Sequence, residues 1–176
     1  GGLALDAWVI QVAKDAGMKN IIRGARGTAI LPATYEFDGK DEAGKRLADG
    51  SYYLKFQASF AGGESATSDA VEVRIDSTPP KVELTLAPTI FTPDGDGVID
   101  TTTFKPTIVD EGDIASWTIA IRDAKGKMLR EFTGKGAPPP SIEWNGTDDL
   151  DLPVPQSARF SVSLTARDAA ENTATS

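Results

Sequence analysis

The sequence predicts an all-β chain folded as two tandem β-sandwiches, the first lacking its N-terminal strands and the second its last strand. Two observations carry this. Apolar residues alternate with period two along most of the chain, and one ordered set of motifs occurs twice. In chain order, "AWVIQV" places Trp8, Ile10 and Val12 on one face, "SYYLKFQA" places Tyr52, Leu54 and Phe56, and "AVEVRI" places Val71, Val73 and Ile75. "KVELTL" follows with Val82, Leu84 and Leu86, "SWTIAI" with Trp117, Ile119 and Ile121, and "RFSVSLTA" with Phe160, Val162 and Leu164. No segment carries a long helical stripe, so the pattern excludes a helical or mixed class.

The duplication sets the domain plan. "AWVIQV" at 7 matches "SWTIAI" at 116, "YEFDGKD" at 35 matches "IEWNGTD" at 142, and "ESATS" ending at Ser68 matches "NTATS" ending at Ser176, all at an offset of about 108 residues. That period suits a β-sandwich of about seven strands and is too long for a solenoid unit. The expected domains are 1–78, the C-terminal part of a repeat, and 79–176. Pro79 and Pro80 between them favour extended backbone and suit a short, stiff connection.

The two copies are out of phase with the chain. Copy two has a long segment between Pro80 and Trp117 with no counterpart ahead of Trp8, and copy one continues past Ser68 through "VEVRI". The chain therefore reads as a window on a longer array. Exposed sheet edges are expected, completed by neighbouring repeats or, alternatively, by strands exchanged between molecules.

Three ordered motifs make the chain resemble the FlgD-like immunoglobulin-like domains of bacteria, named after the flagellar hook-capping protein. They are "IFTPDGDGVIDTTTF", "SWTIAIRDAKGKMLREF" and "IEWNGTDDLDLPVPQSARFSVSLTARD". Copy one repeats the latter two as "AWVIQVAKDAGMKN" and "YEFDGKDEAGKRLADGSYYLKFQA". Copy two departs locally: Asn145-Gly146 is kept, but Pro153, Pro155 and Ser157 replace later glycines and predict a stiffer loop. The resemblance implies a structural or interaction module without catalytic machinery, in the periplasm, at the cell surface or outside the cell. Fold alone does not assign function.

Composition removes several function classes. There is no His and no Cys among the 176 residues, which excludes histidine-based acid–base chemistry, thiol nucleophiles, disulfides and most zinc sites. A formal net charge of −8 argues against a nucleic-acid partner, which needs clustered Lys and Arg. No apolar run reaches the roughly 20 residues of a membrane span, and "GGLALDAWVI" lacks the basic region and cleavage site of a signal peptide.

The strongest chemical signal is "FTPDGDGVID". Set against the 12-residue calcium-loop pattern, Asp94 and Asp96 take the third and fifth places, Gly97 the sixth, the Val98 carbonyl the seventh and Asp100 the ninth. Thr92 and Thr103 stand where the first carboxylate and the bidentate Glu belong, so the same aspartates also read as turn residues capping backbone amides. Metal candidates are thus Asp94, Asp96, Val98 and Asp100, for a weak calcium site. No other cofactor is expected.

Other features read as structure. The carboxylates of "DGKDE" and "TDDLD" are solvated turn groups rather than a catalytic pair. Trp8, Trp117 and Trp144 pack in cores rather than stacking sugars, and Arg23 and Arg26 sit at a hairpin tip that could hold an anion. "GAPPPS" is a rigid loop that also resembles a short polyproline ligand. The expected function is a non-enzymatic scaffold or spacer segment making protein contacts. The alternatives are a calcium-dependent or loop-mediated adhesin, and an accessory domain of a secreted enzyme whose catalytic domain lies elsewhere.

Overall fold

The computed structural model describes residues 4–155 and 158–176. Ser157 of the stiff-loop expectation and the first three residues lie outside the described residues. The chain divides into two compact units, Gly1–Ser77 and Thr78–Ser176, and all described secondary structure is strand.

Unit 1 contains β1 (Leu5–Ala13), β2 (Ile21–Thr28), β3 (Gly50–Phe60), β4 (Ser65–Thr67) and β5 (Val71–Ile75). They form one antiparallel sheet in the order β2-β1-β3-β4, with β5 also on β3. β4 and β5 pair with successive parts of β3, so they act as one strand interrupted at residues 68–70. At that break Ser68 keeps hold of β3: its Oγ accepts the Phe56 amide at 3.0 Å and its amide donates to the Phe56 carbonyl at 2.9 Å. The register places Trp8 opposite Ala58, Ile10 opposite Phe56 and Val12 opposite Leu54, which puts the alternating apolar residues on a single face. Tyr52, near the start of β3, donates its hydroxyl to the Ala48 carbonyl at 2.8 Å. This is the tyrosine corner of immunoglobulin-like sandwiches.

One sequence expectation needs adjustment here. Residues 20–27 are not a hairpin tip: Ile21–Thr28 runs as β2 along Ala7–Ala13 of β1, the turn falling earlier at residues 14–20. Unit 1, expected to lack its N-terminal strands, forms one sheet, and the described residues include no counterpart of β6 or β7 in it. Residues 35–37, the counterparts of a strand in copy two, form no ladder.

Unit 2 contains β6 (Lys81–Ala87), β7 (Thr102–Val109), β8 (Ile114–Asp123), β9 (Met128–Gly134), β10 (Ile142–Trp144), β11 (Phe160–Asp168) and β12 (Thr173–Thr175). It is a sandwich of a three-stranded sheet, β10-β7-β6, and a four-stranded sheet, β12-β11-β8-β9. The chain changes sheet after β7, β9 and β10, giving the immunoglobulin-like arrangement with fibronectin type III-like strand allocation. Where the sequence predicts copy two to stop short of its last strand, residues 173–175 form the first part of it on the edge of β11. Pro106 is tolerated in β7 because β10 ends against Phe104, leaving that part of β7 with β6 alone as neighbour.

The buried core of unit 2 lies between the sheets. Phe104 from one sheet meets Ile119, Ile121 and Leu164 from the other, all fully enclosed, with Trp117 and Trp144 beside them. Each large side chain so buried contributes roughly 1.5–3 kcal/mol. Trp117 is accommodated by the residue paired to it across the ladder, Gly134, where an added Cβ would stand 2.4 Å from the indole Cζ2. Trp8 and Gly27 repeat the arrangement in unit 1, with 2.7 Å between that Cβ position and the ring.

Candidate functional site

The connection from β6 to β7 opens with a cis Ala87–Pro88 peptide and carries the aspartates. Its neck is closed by the Thr92 amide donating to the Ile99 carbonyl at 2.9 Å. Beyond the neck, Gly95 and Gly97 take φ of +82° and +86°, the left-handed region open to glycine at little cost. Those two turns direct amides toward Asp100, whose Oδ1 accepts the Gly95 amide and whose Oδ2 accepts the Gly97 amide, both at 2.8 Å. Asp94 Oδ1 accepts the Asp96 amide at 3.2 Å and Asp96 Oδ1 accepts the Val98 amide at 2.7 Å, two Asx turns in succession.

The three carboxylates are brought together, each with an oxygen within 4.8 Å of the others. Val98 contributes its amide to this network while its side chain faces solvent. An all-oxygen donor set of this kind fits calcium in chemistry. It falls short in number, since calcium takes about six to eight oxygens and the remainder would have to come from water or loop carbonyls. The loop is anchored below by Phe91, whose ring meets Trp144 edge-on at 5.4 Å, and by Pro93, which lies against Gly146.

The same chemistry recurs at four other turns, of which those of Asp41 and Asp148 lie in the acidic segments read as turns and those of Asp15 and Asp123 carry no such signal. Asp15 accepts the amides of Lys19 and Asn20 in the β1–β2 turn, and Asp123 accepts those of Lys127 and Lys125 in the β8–β9 turn. These bonds hold both carboxyls below their ordinary value of 3.8: the Lys19 and Asn20 amides at Asp15, the Lys127 amide foremost at Asp123, where burial opposes the shift. Asp41 Oδ1 accepts the amides of Ala43 and Lys45, and Asp148 Oδ1 those of Leu150 and Leu152. The pairs Asp15/Asp123 and Asp41/Asp148 keep the repeat offset, and that duplicated spacing was the signal available in the sequence. A fifth clamp, Asp168, is buried at the end of β11 and accepts both the backbone and the side-chain amide of Asn172 at 2.9 Å.

The remaining candidates fall into structural positions. Arg23 pairs with Asp38 and donates to the Lys40 carbonyl at 3.2 Å. Burial raises the Asp38 carboxyl, but the hydrogen bond and charge of Arg23 outweigh it and leave it lowered. Arg130, the copy-two counterpart, likewise pairs with Asp149 and Asp151 and donates to the Asp148 carbonyl. Each arginine pins its own unit's acidic loop. Arg26 lies on β2 opposite Val9. Trp8 is half-buried with its indole N–H donated to the Ile30 carbonyl at 2.7 Å, while Trp117 and Trp144 are in the core. "GAPPPS" joins β9 to β10. Beneath the aspartate loop lies an apolar hollow of about 540 Å³ bordered by Phe91, Phe104, Trp144 and Phe160.

No family model and no curated protein matches the chain. Among solved structures, it is similar to dimeric latent PorU from Porphyromonas gingivalis, at 14% identity over 75% of this chain and 12% of that one, with a TM-score of 0.42. It is also similar to a tetra-tandem repeat in the extending region of a large adhesion protein, at 16% identity over 99% of this chain and 41% of that one, TM-score 0.39. A third similarity is to the amphioxus IgVJ-C2 molecule, at 13% identity over 100% and 89%, TM-score 0.37. The chain spans well under half the length of the first two.

Proposed function

We propose that the chain is a non-enzymatic structural segment, two immunoglobulin-like units that hold other parts of a secreted or envelope-associated bacterial protein apart and offer sheet edges and loops to protein partners. The observation that carries this reading is the employment of the acidic residues. Asp15, Asp41, Asp123 and Asp148 each spend their carboxylate on two backbone amides of their own turn, in matched positions of the two units. A carboxylate so engaged stabilises a turn and is poorly placed to act as an acid, a base or a nucleophile. The FlgD-like motifs and the secreted or surface location they imply belong to the same proposal.

A second reading has one observation in its favour: the convergence of Asp94, Asp96 and Asp100 within 4.8 Å, which suits a calcium-dependent adhesive loop. Melting curves of the 176-residue chain with calcium raised to about 10 mM, well into the range of weak extracellular sites, decide between the two. The structural reading expects unit 2 to melt at the same temperature throughout and a glycan array to stay blank. A rise in melting temperature that Asp100→Asn removes, accompanied by calcium-dependent glycan binding, would replace it with the adhesin reading.

A further inference from the structure

We propose that the apolar face of the unit 1 sheet is the seat of a two-stranded antiparallel hairpin of the β6–β7 kind, supplied by a neighbouring repeat. The inference rests on the structural-module reading and names the partner that such a module takes.

The two units serve as each other's control. Trp8, Ile10 and Phe56 are each half-buried, whereas their counterparts Trp117, Ile119 and Leu164 are 6%, 0% and 0% exposed. In unit 2 the difference is made by the β10-β7-β6 sheet, which packs over those positions. The face is closed at Val12 and Tyr52, 0% and 3% exposed, but toward β5 it is open: Val71 is 65% exposed and Val73 37%, beside Leu54 and Tyr52 in the ladder. With Ile10, Phe56 and Tyr35 they border an open depression of about 320 Å³. The other face of the same strands carries Gln11, Lys55, Gln57, Glu72 and Arg74 beside Val9 and Tyr53, so it is the more polar of the two.

One observation says that the occupant carries backbone and not only apolar atoms. Residues 35–37 form no ladder, yet their counterparts Ile142–Trp144 form β10 by pairing with Phe104–Thr102 of β7. A hairpin of the β6–β7 pattern answers both needs, the open apolar face and the unpaired edge. Its first strand presents alternating residues such as Val82, Leu84 and Leu86, and its second presents Thr102 and Phe104 inward while offering a free edge to residues 35–37.

The test places a copy of residues 80–109 directly ahead of Gly1, which gives Trp8 the spacing from the hairpin that Val109 has from Trp117. Amide exchange by NMR is followed in the fused chain, in the 176-residue chain, and in a fused control whose added copy carries Leu84→Asp and Phe104→Asp. Protection across β1 and β3 is expected to rise by about tenfold or more in the fused chain alone, with dye binding to apolar surface lost. Equal protection in all three would overturn the proposal. So would a concentration-dependent dimer of the 176-residue chain in which β1 and β3 are already protected, since the face would then belong to a second copy. Neither result depends on calcium or glycan binding, so failure here is separable from failure of the structural-module reading.

Discussion

Replacing Gly134 by Ala tests whether the paired glycine and tryptophan are a packing device. The added Cβ would stand 2.4, 2.6 and 2.9 Å from Cζ2, Cε2 and Nε1 of Trp117, whereas carbon atoms rest at about 3.5–4.0 Å, so more than ~1 Å of movement is required. Trp117 is 6% exposed in the middle of the four-stranded sheet and has no free direction in which to move. Overpacking of this kind costs about 1–3 kcal/mol. Against it stands the gain from removing a strand glycine, about 0.5–1 kcal/mol, which is available because Gly134 has no positive φ. The net expectation is a loss of about 1–2 kcal/mol in unit 2, read as a lower urea midpoint at unchanged slope. Trp117→Leu in the same background should recover part of the loss, exposing a coupling of about 1 kcal/mol. A variant as stable as the parent, or more stable, refutes the argument.

The matched change Gly27→Ala should cost roughly half as much, because the half-buried Trp8 can swing toward solvent, and the unfolding of unit 1 followed by circular dichroism reads it. Gly146→Ala meets Pro93 Cγ at 2.7 Å and must hold φ of +74°, so a loss of about 1–3 kcal/mol, with faster exchange of the Thr92 amide, is expected. Asp100→Asn keeps one acceptor oxygen for the two amides of Gly95 and Gly97, and exchange at one of these should accelerate even without calcium. Acid titration follows from the clamps at Asp15 and Asp123. Their folded pKa values lie below the unfolded value of 3.8, so their contribution is present above that value and is lost as pH falls through the folded values. Asp123→Asn should flatten that part of the stability profile, measured by melts between pH 5 and pH 2.

Strand positions were legible because alternation survives wherever one face of a sheet meets a core, and both units obey it along β1, β3, β8 and β11. The duplication was legible for the same reason: Trp8/Trp117 and Ile10/Ile119 stand at equivalent places in their sheets. The sequence of β2 resembles a hairpin tip because "IIRGARGT" has two glycines and two arginines and little alternation. Gly27 is there for Trp8, and Arg23 for Asp38, contacts far apart in the sequence. The aspartate loop was legible as a cluster and ambiguous as chemistry, since ligand and turn readings demand the same residues. Which amides meet Asp100 depends on the left-handed turns at Gly95 and Gly97, a matter of backbone geometry. The lack of N-terminal strands in unit 1 was legible from the phase of the duplication, whereas the loss of a ladder at residues 35–37 depended on pairing partners rather than on local pattern.

The aspartate clamps have a consequence for the order in which the units assemble. Asp15 and Asp123 close turns between strands that follow one another in the chain, using amides at most five residues away. Such hairpins can form within about 1–10 μs, before any distant contact exists. β3 and β11 must instead return across long connections to join β1 and β8, and sheets built from distant pairings fold slowly. Each unit should therefore begin from its β1–β2 or β8–β9 hairpin, with a transition state in which Asp15 or Asp123 is already engaged and the tyrosine corner at Tyr52 is not. The acidic residues of this chain then matter as timekeepers of folding, setting two early corners from which the rest of each sheet is measured.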